Sequence, residues 1–261
     1  MVTAQHAHAP EPAEEDATST RGHGSARALR HPAGPQGRYG LLLILLLATY
    51  LMSAFFRGDW VGAVQLGVFV ATAILALRNT TLPRRWVRVS VAVGAAGSVV
   101  ALILVTVRPS DDAVGAASLW TGLLLLATVV LIVRHILSFD SVTIQSIFAA
   151  VSSYMIIGLM FAAFYAAEAK FSGLHFFAVP GQYDNSQNYQ YFSFTTLTTL
   201  GYGDFTAAHP GGRAIAVIEA LAGQVFLATL VARLVAAFRA PARAPANDSE
   251  PPAPDNSGTG S

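Results

Sequence analysis

The 261-residue chain is 53% apolar and only 12% charged, with positive mean hydropathy, the composition of an integral membrane protein rather than a water-soluble domain. A formal net charge of +1 offers no basic surface for a nucleic-acid partner. The absence of cysteine excludes disulfides, thiol nucleophiles and Cys-ligated metals.

Residues 1–38 are rich in Ala, Pro, Gly and His, with an acidic patch at Glu11, Glu14, Glu15 and Asp16. So little apolar surface cannot offset the entropy of ordering, and a disordered cytoplasmic tail is expected. The irregular spacing of His6, His8, His23 and His31 reads as solvated tail residues rather than metal ligands. The first apolar run starts too late and is too long for a cleavable signal peptide.

Six apolar stretches follow, at Tyr39–Phe56, Trp60–Leu77, Trp86–Val107, Ala113–Val133, Ile144–Ala167 and Ala214–Phe238. Each is near the roughly 20 residues that a helix needs to cross the hydrocarbon core. The breaks carry charge and helix-stopping residues, such as Arg57-Gly58-Asp59 and Pro83 with Arg84 and Arg85. The expected fold is an all-α membrane protein with six transmembrane helices: a four-helix domain over 39–137, a second domain over 138–239 and a disordered cytoplasmic tail over 240–261.

Arginine placement sets the orientation. With the N-terminus cytoplasmic, the inside holds Arg21, Arg27, Arg30, Arg38, Arg78, Arg84, Arg85, Arg88, Arg134, Arg239 and Arg243, and the outside only Arg57, Arg108, Lys170 and Arg213. This follows the positive-inside rule and makes a multi-pass cell-membrane protein with both termini cytoplasmic. A voltage sensor needs several Arg or Lys at three-residue intervals along one membrane helix. Ala113–Val133 contains none, so scaffolding or lipid contact is expected of the first four helices. Gly94, Ala95, Ala96 and Gly97 suit close helix packing.

After the fifth stretch, a polar loop (Glu168–Gln187) and a Thr- and aromatic-rich segment lead to Thr198-Thr199-Leu200-Gly201-Tyr202-Gly203-Asp204. Turning consecutive carbonyls toward one axis demands backbone conformations that residues with a Cβ rarely adopt, hence glycines at alternate positions. This stretch resembles the signature of the potassium-channel family, Thr-Val-Gly-Tyr-Gly-Asp, with Leu200 for the commoner Val or Ile. The likeness is to a six-transmembrane, bacterial-type subunit with a single pore loop and covers about Ile144 to Ala237.

The resemblance implies a selectivity filter of Thr199, Leu200, Gly201, Tyr202 and Gly203, in which backbone carbonyls replace the hydration shell of K+. Thr199 adds a hydroxyl at the inner end, and Tyr202 wedges outward. Asn188–Thr198 then becomes a re-entrant pore helix whose C-terminal dipole faces the cation. Tyr191 and Phe192 match the family's aromatic pair behind the filter, or else form an interfacial aromatic belt. Thr195 stands where some relatives carry a buried carboxylate, and Thr198 completes the support. Asp204 falls at the outer mouth, where carboxylates concentrate cations.

In the sixth stretch, Glu219 is an ionisable group inside the membrane, either bonded to the pore helix or its neighbours or facing a wet vestibule. Arg233 is near enough to the cytoplasmic end to snorkel. Gly223 falls at the family's inner-helix hinge, where glycine permits either bending or close backbone approach.

One filter copy per chain, where a carbonyl cage needs four, implies a homotetramer in membrane lipid. The function expected is passive, potassium-selective conduction with no cofactor beyond the permeant ions. A less selective cation channel and a non-conducting scaffold or accessory subunit are the alternatives. Paired carboxylates, nucleophile–His pairs and phosphate-binding Gly-Lys motifs are not found on a common face, so neither catalysis nor a small-molecule substrate is expected.

Overall fold

The structure is a computed structural model that describes residues 39–56, 59–78, 84–138 and 143–239. The tails expected over 1–38 and 240–261 lie outside the described residues. Seven helices form within them: α1 (Tyr39–Phe55), α2 (Asp59–Arg78), α3 (Arg84–Val107), α4 (Asp111–Leu137), α5 (Ile144–Ser172), α6 (Ser186–Leu197) and α7 (Pro210–Arg239).

Local chemistry sets the helix ends. Ser110 caps α4 by accepting from Ala113 N at 3.2 Å. Asp111 and Asp112 occupy its first turn and Arg134 and His135 its last, each complementing the helix dipole. Thr143 and Ser146 form a reciprocal capping box at α5. The largest differences from the sequence reading fall at three boundaries, one of them the end of α4, which runs past Val133 to Leu137. Helix α5 continues through Glu168 to Ser172, because nothing breaks it before Gly173, whose φ of 66° ends it in the left-handed conformation. Helix α7 begins at Pro210 rather than Ala214, since proline's fixed φ and missing N–H suit a first helical turn.

Among the described residues, four helices are long and apolar enough to cross a membrane: Val87–Val107, Asp111–Leu137, Ile144–Ser172 and Pro210–Ala236. Tyr39–Phe55 and Val61–Leu77 are apolar but shorter. At 1.5 Å per residue a 17-residue helix reaches about 26 Å, the low end of spanning length.

Helix α5 is the hub, with 61% of its most apolar stretch buried against 11% for α7. Helix α4 lies along it with Gly122 beneath the Phe164 ring and Gly115 facing Lys170 and Phe171. Lys170 Nζ donates to Asp111 Oδ1 at 2.6 Å across the same pair of helices. Helices α3 and α4 pack through the small residues noted in the sequence: Gly97 lies under Trp120, whose Nε1 donates to Ser98 Oγ at 3.3 Å. Helix α1 reaches α6, where Tyr50 meets Phe194 edge-on with ring centroids 5.1 Å apart. Gln187 Nε2 donates to Ser53 O at 2.7 Å. Helices α1 and α4 therefore pack directly onto the later helices, while α2 and α3 pack against α1, α4 and each other.

Candidate functional site

The loop from Thr198 to Asp204 hangs from the C-terminus of α6. Thr199 N donates to Thr196 O at 2.9 Å, closing the last turn. Leu200 N and Gly201 N then both donate to Thr195 O, at 2.9 and 3.1 Å, so the Thr195 main chain anchors the first half of the loop. Thr199, Gly201 and Gly203 have φ of 57°, 51° and 78°, alternating with residues of negative φ. Such alternation turns successive carbonyls toward one side, as an ion-lining loop requires.

A Cβ built on Gly201 or Gly203 meets nothing within 4 Å, so glycine is required there by conformation and not by space. Thr199 is the one non-glycine residue with positive φ among those described. For a β-branched residue this is a strained geometry, costing on the order of 1–3 kcal/mol.

A clasp holds the far end. Tyr191 of α6 donates its hydroxyl to Asp204 Oδ2 at 2.7 Å, and Gln182 Nε2 donates to Asp204 O at 2.6 Å. Tyr191 is thus the donor and Asp204 the acceptor, and the bond spans from α6 to the end of the loop. The segment after α5 pairs with the segment after the loop through Ala178 N to Thr206 O at 2.9 Å and Ala208 N to Phe176 O at 2.8 Å. Asp184 secures that segment by accepting from Phe176 N at 3.0 Å. Buried rings fill the space beneath: Phe192 packs against Tyr165 with centroids 5.0 Å apart and against Phe176 at 5.7 Å. Tyr191 and Phe192 thus divide the work, one hydrogen-bonding at the surface and the other packing inside.

Behind α6, the Glu219 side chain of α7 is fully buried, with 0% exposure. Its carboxylate accepts from the Tyr165 hydroxyl of α5. It also lies within reach of the Ser193 hydroxyl of α6, which in turn sits 2.6 Å from Gly158 O. Three helices meet at one carboxylate, and these partners keep a buried polar group from being left unsatisfied. Of the two readings of Glu219, the structure shows it bonded to α5 and α6.

One turn further along α7, a Cβ on Gly223 would lie 2.5 Å from Leu197 O and 2.9 Å from Leu197 Cδ1. Close approach of α7 to the end of α6 therefore accounts for this glycine. Tyr154 of α5 donates to the same Leu197 carbonyl at 3.0 Å. Gln224 Nε2 stands 3.5 Å from Thr199 Oγ1. Thr195 is buried, with its hydroxyl turned to Phe192 O at 2.9 Å; Thr198 bonds Phe194 O at 2.6 Å. Leu200 and Tyr202 are 54% and 67% exposed in the single subunit.

Sequence reasoning missed Tyr165, Ser193, Tyr154, Gln182 and Asp184. The available signal was polar residues in otherwise apolar helices, but their pairing across 54 positions (Tyr165 with Glu219) or 43 (Tyr154 with Leu197) needs the tertiary structure. Comparison with curated proteins gives no match, and comparison with solved structures gives none either. Residues 184–240, which contain α6, the loop and α7, match the family model described as "Ion channel". That likeness supports an ion channel pore domain in this part of the chain.

Proposed function

We propose that the chain is one subunit of a homotetrameric, potassium-selective channel conducting K+ passively across the cell membrane. Six helices cross the bilayer with both termini cytoplasmic, α6 is the re-entrant pore helix, and Thr199 to Gly203 form the filter with Asp204 at its outer mouth. Gating does not rest on a voltage sensor, since α4 carries Arg134 only in its last turn.

The observation that carries this reading is the alternating φ at Thr199, Gly201 and Gly203 within Thr-Leu-Gly-Tyr-Gly-Asp. A second supports the assembly: Val217, Ile218, Leu221 and Val225 of α7 are each about 60% exposed, an apolar face that fourfold symmetry would give a self-complementary use.

The test is flux into liposomes holding the purified full-length protein, with K+ or Na+ as the only cation. Flux with K+ and little with Na+ is expected. Comparable rates would mean a less selective pore, and none for either ion a scaffold.

A further inference from the structure

Between α2, α3, α4, α5 and the start of α6 lies a cavity of about 800 Å³, within the size range of small-molecule sites. Its walls are mainly apolar, including Leu66, Phe69, Ala101, Leu159 and Ala162. Polar side chains interrupt them, among them the amides of Gln65, Asn185 and Gln190. Gln65 of α2 is 7% exposed and Gln190 of α6 is 4% exposed, and both line the cavity. Among the described residues the Gln65 side chain has no hydrogen-bond partner. Gln190 gives its Nε2 to Ser186 Oγ at 3.2 Å, while no described donor reaches its carbonyl oxygen. The Tyr189 hydroxyl, which also lines the cavity, is buried without a hydrogen-bond partner among the described residues, which costs about 1–3 kcal/mol unless something in the cavity meets it.

The charged residues at the rim are already engaged. Lys170 pairs with Asp111 at 2.6 Å; Asp184 holds Phe176 N and lies 3.3 Å from His175 Nδ1. What remains for a ligand is therefore neutral: the amides of Gln65 and Gln190 and the Tyr189 hydroxyl in a mainly apolar lining. Its mouth includes Gly62 and Ala63 of α2 and Leu102 and Thr106 of α3, all exposed on the outside of the bundle. A polypeptide segment would bring a row of backbone donors and acceptors that these few groups cannot satisfy. Water would wet apolar walls. An acyl chain with one ester group suits both parts of the lining.

We propose that this cavity is a binding site for one membrane glycerolipid, an acyl chain filling the apolar slot and an ester carbonyl meeting the amides of Gln65 and Gln190. The site rests on the reading above that six helices cross the bilayer. Because Gln190 belongs to α6, the bound lipid touches the pore helix itself, one turn from Ser193.

The test uses full-length protein in liposomes containing phosphatidylcholine with a photoactivatable acyl tail, with labelled residues mapped by peptide mass spectrometry. Label is expected on interior positions of α5 (Ala162, Ala163, Ala166) and α4 (Ser118, Thr121). Ala163→Trp, which fills the slot, should lower that labelling at least fivefold while labelling of outward residues such as Val93 and Leu123 stays unchanged. Gln65→Leu preserves volume and should lower it about threefold; with the wild-type map it decides the matter if Ala163→Trp does not fold. Label confined to outward residues, or interior label indifferent to both substitutions, overturns the site. So does crosslinking of Ser118→Cys, in this cysteine-free chain, to a second subunit in place of lipid labelling. No ion flux is read, so a protein that labels but does not conduct keeps the lipid site and loses only the channel reading.

Discussion

The Tyr165 hydroxyl donates to the Glu219 carboxylate, joining α5 to α7 deep inside the bundle with Ser193 of α6 at the same carboxylate. A fully buried carboxylate leaves its partners stranded when it is removed. We expect Tyr165→Phe and Glu219→Gln each to cost about 1–3 kcal/mol, and the double variant to cost less than their sum by about 0.5–3 kcal/mol. Denaturation of the purified protein in mixed detergent micelles measures all three. Strict additivity would mean that the two side chains do not work as a pair.

Gly223→Ala puts a methyl group against the Leu197 carbonyl oxygen. The neighbour is backbone and cannot swing aside, so α7 must move away from α6, at about 1–3 kcal/mol for overpacking. Gly223→Val should cost more. Stability equal to wild type in both would show that the helices have room to spare.

Gly201→Ala acts differently, because its Cβ would meet open space and the penalty is only about 1–2 kcal/mol for holding an L-residue in left-handed backbone. The expected outcome is normal yield and oligomer size with K+ flux lost. Wild-type flux from this variant would contradict an ion path lined by this loop.

Asp204→Asn and Tyr191→Phe remove opposite ends of one hydrogen bond and can be told apart by salt. The first deletes a charge, so its reduction of flux should be largest in dilute K+ and fade as ionic strength shortens the screening length. The second keeps the charge and loosens the clasp, so its effect should persist at high salt. Identical salt dependence in the two variants would argue against a role for the Asp204 charge in attracting ions.

The apolar helices were legible because long apolar runs broken by charge leave little freedom of interpretation, and α5 starts at the residue expected, Ile144; of the six spans expected, four are long and apolar enough to cross a membrane among the described residues. The loop over Thr199 to Gly203 was legible too, since glycine at alternate positions answers a conformational need that the φ values display. Glu168 to Ser172 were read as loop because polarity was taken to end the helix; a helix leaving an apolar layer can continue until a residue such as Gly173 stops it. Glu219 was legible as an acid inside an apolar helix, but its partners Tyr165 and Ser193 were not. Thr195 occupies the expected position for a buried carboxylate, while Glu219 brings one in from α7, a choice visible only once helices distant in sequence are neighbours.

Thr199 carries a further consequence. Glycine would occupy its left-handed backbone at less cost, so whatever keeps a threonine there is not the demand for a sturdy fold. A library selected for heat resistance alone should drift to Thr199→Gly, and one selected for ion throughput should reject it. The two enrichments, compared at this single codon, would separate what the chain needs in order to fold from what it needs in order to work.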